Sequence, residues 1–178
     1  VKNILVEHCV LWNAEPGNAV EIGYEVRCDE ISDITFRDLD IVHCEYEGNQ
    51  SGGVLTIHNA DRAHIHDIVY EDIRVEDAQE KFVDIKVLDS KYSLDRKRGS
   101  VENIYFRNVE ILNGNFPVSI IRGFEMHTEM SRPRNIYFDN VVVLGKRVES
   151  PATCIWWWNS LMIFCLMVRH TQKEIHSN

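Results

Sequence analysis

A nine-residue phrase returns five times in this chain. It reads NILVEHCVL at residues 3–11, DITFRDLDI at 33–41, DIVYEDIRV at 67–75, NIYFRNVEI at 103–111 and NIYFDNVVV at 135–143. Successive copies start 30 to 36 residues apart. Self-similarity on that scale belongs to repeat architectures, in which each unit buries its apolar face only against its neighbours.

Each phrase alternates in period two, with β-branched and aromatic residues on one side, as in Ile104 and Phe106 against Tyr105 and Arg107. The apolar side resumes at Val109, so the phase breaks between Phe106 and Val109. His8, Asp38, Asp72, Asn108 and Asn140 stand at that break. Asn and Asp tolerate left-handed backbone angles and bond locally, so the phrase reads as strand, bend, strand, with the bend residues stacked as a polar ladder. A further apolar run follows each of the first four phrases, at 19–23, 54–57, 82–87 and 118–121. The expected fold is all-β: a right-handed parallel β-helix of about five coils with three strands per coil. Helical arrays of similar period would need apolar residues at i, i+3, i+4 and i+7, which no copy shows. A leucine-rich repeat would need a leucine-dominated consensus.

The chain has 178 residues and a net charge of −9. That length fits one domain with a core of its own, and that charge argues against a nucleic-acid partner. Its five cysteines contain no C-x-x-C spacing, so neither a disulfide framework nor a zinc site is implied. Cys9 falls where other copies carry Leu39, Ile73, Val109 and Val141, which makes it a small core residue. Residues 1–150 hold the β-helix. Residues 151–178 break from it, with an apolar run at 154–168 that is short of the roughly 20 residues of a membrane span. That tail reads as a cap helix or as an extension foreign to the fold, and no membrane partner is expected. The first residue is Val1 and the first phrase begins two residues later. The β-helix therefore reads as N-terminally truncated, with the strand preceding the first phrase expected roughly 10–15 residues upstream.

In such a scaffold the strand bordered by the longest loops floors the cleft. If Val20 and Ile22 point inward, Glu21 points outward, and the same alternation places Thr56, His58, Asp84, Lys86 and Ser119 on that outer face. Glu21 and Asp84 stand two coils apart, roughly 9–10 Å between backbones at the usual strand spacing. An inverting glycosidase uses two carboxyl groups about 6.5–9.5 Å apart. Glu21 and Asp84 are therefore the candidate catalytic pair, with Trp12, Tyr24, His58, Lys86 and Arg122 as candidate substrate contacts. The plain alternative is that these are solvated charges on a sheet face. No P-loop, G-x-S-x-G, H-E-x-x-H or EF-hand pattern occurs, and no metal or cofactor is expected.

Over residues 1–147 the chain resembles the pectin-lyase-like β-helix superfamily. Leu11-Trp12-Asn13, Asn18-Ala19-Val20, Gly23-Tyr24, Ile31-Ser32-Asp33-Ile34 and Asp40-Ile41-Val42-His43 are similar to segments of the dextranase/isopullulanase family of glycoside hydrolases. Polygalacturonases are the neighbouring resemblance. Their Gly-His-Gly is absent, and Asp84-Ile85-Lys86 only echoes their Arg-Ile-Lys. The resemblance implies an inverting, metal-free hydrolase acting on a polysaccharide, outside the cell or in the periplasm. It also implies that the main catalytic aspartates precede Val1, leaving Glu21 as a third carboxylate and this chain with little activity alone. A polysaccharide lyase is a second possibility, resting on Lys86 and the basic residues Arg96, Lys97 and Arg98. A non-catalytic glycan-binding or structural β-helix is a third.

Overall fold

The computed structural model describes residues 1–14, 17–45, 52–115, 119–126 and 129–149. The 151–178 tail and Val118 lie outside the described residues. Among those described there is no helix. Twelve strands follow in order: β1 Lys2–Asn13, β2 Val20–Ile22, β3 Glu30–Cys44, β4 Gly53–Asn59, β5 His64–Val75, β6 Lys81–Val87, β7 Ser100–Ile111, β8 Ile120–Arg122, β9 Phe124–Met126, β10 Glu129–Ser131, β11 Arg134–Val143 and β12 Lys146–Arg147.

Long and short strands alternate along the chain and sort into separate sheets. The long ones run parallel in the order β1-β3-β5-β7-β11, closed by the antiparallel β12. The short ones form a second parallel sheet, β2-β4-β6-β8. β9 and β10 make a small antiparallel pair of their own. This is a parallel β-solenoid. It has about four turns rather than about five, because β11 is followed by the hairpin partner β12 and not by another short strand.

Each turn has two hydrogen-bonded strands rather than three, because the nine-residue phrase does not break into separate strands at its bend. The bend residues His8, Asp38, Asp72, Asn108 and Asn140 have φ between 51° and 56°, the left-handed region. Pairing is in the same register before and after them: Glu7 with Arg37, then Cys9 with Leu39. A second set of bends lies five residues earlier, at Asn3, Asp33, Asp67, Asn103 and Asn135, with φ between 53° and 58°. β3, β5 and β7 are thus three straight segments joined by two single-residue corners, while in β1 and β11 a single residue precedes the first corner.

The corners stack in two ladders. Asn135 Nδ2 donates to Asn103 Oδ1 at 2.9 Å, and Asn103 Nδ2 to Asp67 Oδ1 at 3.1 Å. In the second ladder Asn140 donates to Asn108 at 2.8 Å and Asn108 to Asp72 at 2.9 Å. Where Asp stacks on Asp, neighbouring donors help: Ser32 Oγ to Asp33 at 2.7 Å, His66 Nδ1 to Asp67 at 2.6 Å and His8 Nδ1 to Asp38 at 2.5 Å.

Between the sheets, equivalent residues form rows. Phe36, Tyr70, Phe106 and Phe138 stack with centroids 5.2, 5.0 and 4.9 Å apart and rings within 10° of parallel. Ring pairs of this kind contribute about 0.5–1.5 kcal/mol each beyond their burial. Ile34, Ile68, Ile104 and Ile136 form another buried row, and Val20, Leu55 and Val83 a third from the short sheet. Cys9 packs against this core, and Cys9, Cys28 and Cys44 are free thiols. On the outer side, Glu7, Arg37, Glu71, Arg107 and Asp139 are consecutive register partners that alternate in sign over five rungs. A one-rung slip would set like charges opposite each other, so the row favours a single stacking order.

Candidate functional site

The short sheet carries the polar residues that the alternation singled out. β2, β4 and β6 place Glu21, Thr56 and Asp84 in register on its outer side, and His58, Lys86 and Arg122 form the next row. The row does not continue to Ser119. Asp84 pairs with Ile120, so Ser119 is shifted out of the row; it is buried, and its Oγ accepts the Val83 N–H at 3.2 Å.

Over β4 and β6 this outer side is not solvated. Every residue of β4 and β6 is buried, and Thr56, His58, Lys81 and Asp84 are at most 1% exposed. Charges removed from water need partners, and here they have them. Lys86 Nζ lies 2.6 Å from Asp84 Oδ2, and Lys81 Nζ 3.3 Å from the same oxygen. Lys81 Nζ is also 3.2 Å from Glu80 Oε1. His58 Nδ1 is 2.9 Å from Glu21 Oε1, while its Nε2 is 3.5 Å from Asp84 Oδ2.

Glu21 and Asp84 are separated by the intervening strand, as the sheet order requires, and the imidazole of His58 reaches both. Asn18 fixes the other oxygen of Glu21, donating from Nδ2 at 2.7 Å, while its own Oδ1 accepts the N–H of Gly53 at 2.7 Å. The Tyr24 ring meets His58 edge-on, with centroids 5.4 Å apart. Gly23 makes room for this approach: at its φ of 155°, a Cβ would sit 2.6 Å from the His58 carbonyl oxygen.

Burial works against the charge on Glu21, but the hydrogen bonds from His58 and Asn18 outweigh it and hold the carboxyl below its usual range. Burial likewise disfavours the His58 cation, and Asp84 and Glu21 outweigh it, so His58 titrates above ordinary histidine. Burial lowers Lys86 despite Asp84, helped by the nearby positive charges of Lys81 and Arg122. For Tyr24, burial and then the charges of Glu21 and Asp84 push the phenol up.

Two buried atoms of this cluster have no hydrogen-bond partner among the described residues: His58 Nε2 and Asp84 Oδ1. When His58 is charged, they are a donor and an acceptor close together. A hydroxyl group both accepts and donates, and so complements them.

The structure thus gathers Glu21, Tyr24, His58, Asp84 and Lys86, with Arg122 exposed beside Lys86 in register. Trp12 sits elsewhere, on the outer row of the long sheet, 69% exposed, its ring 5.1 Å from that of His43. Arg98, part of the basic group expected to support lyase chemistry, is turned inward with its side chain 3% exposed, and donates to the carbonyls of Ala60, Asp95 and Leu88. Sequence reasoning missed Asn18, Glu80 and Lys81. Asn18 and Glu80 precede their strands and Lys81 opens β6, all in segments that read as connections, and only the turn of the chain brings them to the cluster. Among the described residues, no group of three or more His, Cys, Asp and Glu is placed to hold a metal ion, and no helix is long and apolar enough to cross a membrane. In comparisons with known proteins, no family model, no curated protein and no solved structure matches this chain.

Proposed function

We propose that this chain is part of a polysaccharide-processing β-solenoid and that its cluster of Glu21, His58, Asp84 and Lys86 binds saccharide hydroxyls. The observation that carries this reading is a pair of buried atoms that make no hydrogen bond among the described residues, His58 Nε2 and Asp84 Oδ1. A buried polar atom without a partner costs about 1–3 kcal/mol, which a bound hydroxyl meeting both would recover. Tyr24 adds an aromatic wall beside them.

The roles divide by environment. Glu21, held ionised by His58 and Asn18, suits an acceptor or a base and not the protonated acid that glycosidic oxygen requires. Asp84, gripped by two ammonium groups, suits positioning. A hydrolase built on this site therefore needs its general acid from another carboxyl.

The test combines gel retardation by dextran, pullulan and polygalacturonate with reducing-sugar release from each. The expected result is retardation by a neutral glucan, weakened at least about tenfold by His58→Ala, with little sugar release. Equal mobility with and without every polymer overturns the proposal.

One observation favours the lyase alternative. His58, Lys86 and Arg122 place three basic side chains on adjacent rungs, which would suit a uronate carboxylate, and burial holds Lys86 below ordinary lysine. A neutral Lys86 would take the proton next to that carboxylate. The electron pair would form the C=C bond as the glycosidic oxygen leaves and takes up a proton. An unsaturated product absorbing in the ultraviolet identifies this route.

A further inference from the structure

We propose that His58 is a proton-operated clasp that joins three rungs of the short sheet and gates the site built around it. The clasp itself follows from the geometry of the imidazole; its consequence for ligand rests on the saccharide reading above.

His58 lies on the middle strand, β4, between carboxylates from both neighbours. Its Nδ1 faces Glu21 of β2 at 2.9 Å and its Nε2 faces Asp84 of β6 at 3.5 Å. Carboxylates accept hydrogen bonds and cannot donate them when ionised. An imidazolium carries a proton on both nitrogens: it donates from Nδ1 to Glu21, and toward Asp84, at 3.5 Å, it is held as an ion pair that leaves the Nε2 proton without a hydrogen bond. A neutral imidazole has one N–H and one lone pair, so on losing its proton His58 must present a lone pair to one of the two. The shorter contact keeps the remaining proton on Nδ1 toward Glu21, and Nε2 becomes an acceptor facing Asp84.

The surroundings decide how strongly this is felt. From β6, Asp84 and Lys86 face the ring; Lys81 reaches Asp84, and Arg122 of β8 lies beside Lys86. After β2, the Tyr24 ring packs against the imidazole. Thr56 precedes His58 on the same outer side and spends its hydroxyl proton on the Val20 carbonyl at 3.0 Å. The two carboxylates outweigh burial and the repulsion from Lys86, so the charged form persists to a higher pH than in free histidine.

Because Nε2 makes no hydrogen bond among the described residues, its deprotonation removes that donor from a ligand hydroxyl. Affinity is then full while His58 is charged and falls as pH rises through its raised titration point.

The test uses the full chain labelled with 15N in the histidine rings and with 13C in the glutamate carboxyls and tyrosine rings, followed by NMR from about pH 5 to about pH 9, beside retention of isomaltohexaose at the two ends of that range. The clasp predicts both His58 nitrogens protonated at the acid end and a midpoint above that of free histidine. Signals of the Glu21 carboxyl and the Tyr24 ring should move with the same midpoint. In Glu21→Gln that midpoint falls. Retention should weaken at least about tenfold from the acid to the alkaline end, for the loss of one charged donor. A His58 that is singly protonated throughout, or Glu21 and Tyr24 signals that ignore it, overturns the clasp. Retention equal at both ends while the signals titrate together overturns the gating and leaves the saccharide site standing. Absence of retention at both ends with the signals still titrating together overturns the saccharide site and supports the clasp alone.

Discussion

Asn140 donates its side-chain amide to Oδ1 of Asn108 one rung away, 2.8 Å distant, and both backbones turn through the left-handed region at φ 54° and 51°. One residue type thus makes the corner and ties it to the next. Asn108 is also a donor, to Asp72 at 2.9 Å. Replacing it by Ala removes two inter-rung bonds and leaves a Cβ residue in a region that only Asn, Asp and Gly visit readily. The expected loss is about 2–4 kcal/mol, read from the midpoint of chemical unfolding. Asn108→Gly, which keeps the backbone freedom, should lose less.

The core stack gives a second expectation. Phe106 lies between Tyr70 and Phe138 in the stack, is buried, and meets Phe82 edge-on at 6.1 Å. Phe106→Ala should cost about 3–5 kcal/mol. Phe106→Leu should cost less, because it leaves a smaller void. Circular dichroism in denaturant measures both.

Much of this architecture was legible in the chain. The repeat and its period-two segments gave the solenoid, and the Asn or Asp between Phe106 and Val109 gave one corner. The other corner was equally visible. Ile31 and Ile34, Ile65 and Ile68, and Val101 and Ile104 are each three apart with Asp33, Asp67 or Asn103 between, the same phase break as Phe36 to Leu39. Taking those residues as the start of the phrase hid the strand before them. The burial of the outer side of β4 and β6 was not legible. Alternation says which way His58 and Asp84 point, but it cannot say what lies over them. Ser119 was misplaced because the phase of a short strand is fixed by the turn before it, and residues 118–121 are too few to show their own period.

Removing Asp84 tests the difference between structural and chemical roles. Asp84→Asn deprives Lys86 of its 2.6 Å partner and Lys81 of one of its carboxylates inside the protein. Breaking a buried pair in this way costs about 3–5 kcal/mol. Any loss of function in that variant should therefore be accompanied by a fall in thermal midpoint. Glu21→Gln, whose carboxyl is 28% exposed, should leave the midpoint closer to that of the parent.

Stability should also follow pH with a definite sign. His43 is held by Glu45 at 2.7 Å and Asp77 at 2.8 Å, and His66 by Asp67 at 2.6 Å and Glu30 at 2.9 Å. For His43 the Glu45 hydrogen bond leads. For His66 burial opposes the charge, and its two carboxylates outweigh it. Both titrate above ordinary histidine, as His58 does. Groups raised on folding stabilise fully below the unfolded value of about 6.5, and the contribution is lost as pH rises through the folded one. Glu30 runs the other way. Hydrogen bonds from Lys2 and His66 lower it to about 2, so its contribution is present above the unfolded value of about 4.3 and fades as pH falls toward the folded one. Thermal scans should find greatest stability between about pH 4.5 and about pH 6.5, with a decline on the alkaline side that shrinks in His43→Gln and His66→Gln.

Chemical-shift mapping of the full chain with isomaltohexaose tests the saccharide site most directly. The account predicts perturbations gathered on the outer side of the short sheet, at Gly23, Tyr24, Thr56, His58, Lys86 and Arg122. Shifts confined to the long sheet around Trp12, or none at saturating oligosaccharide, would contradict it.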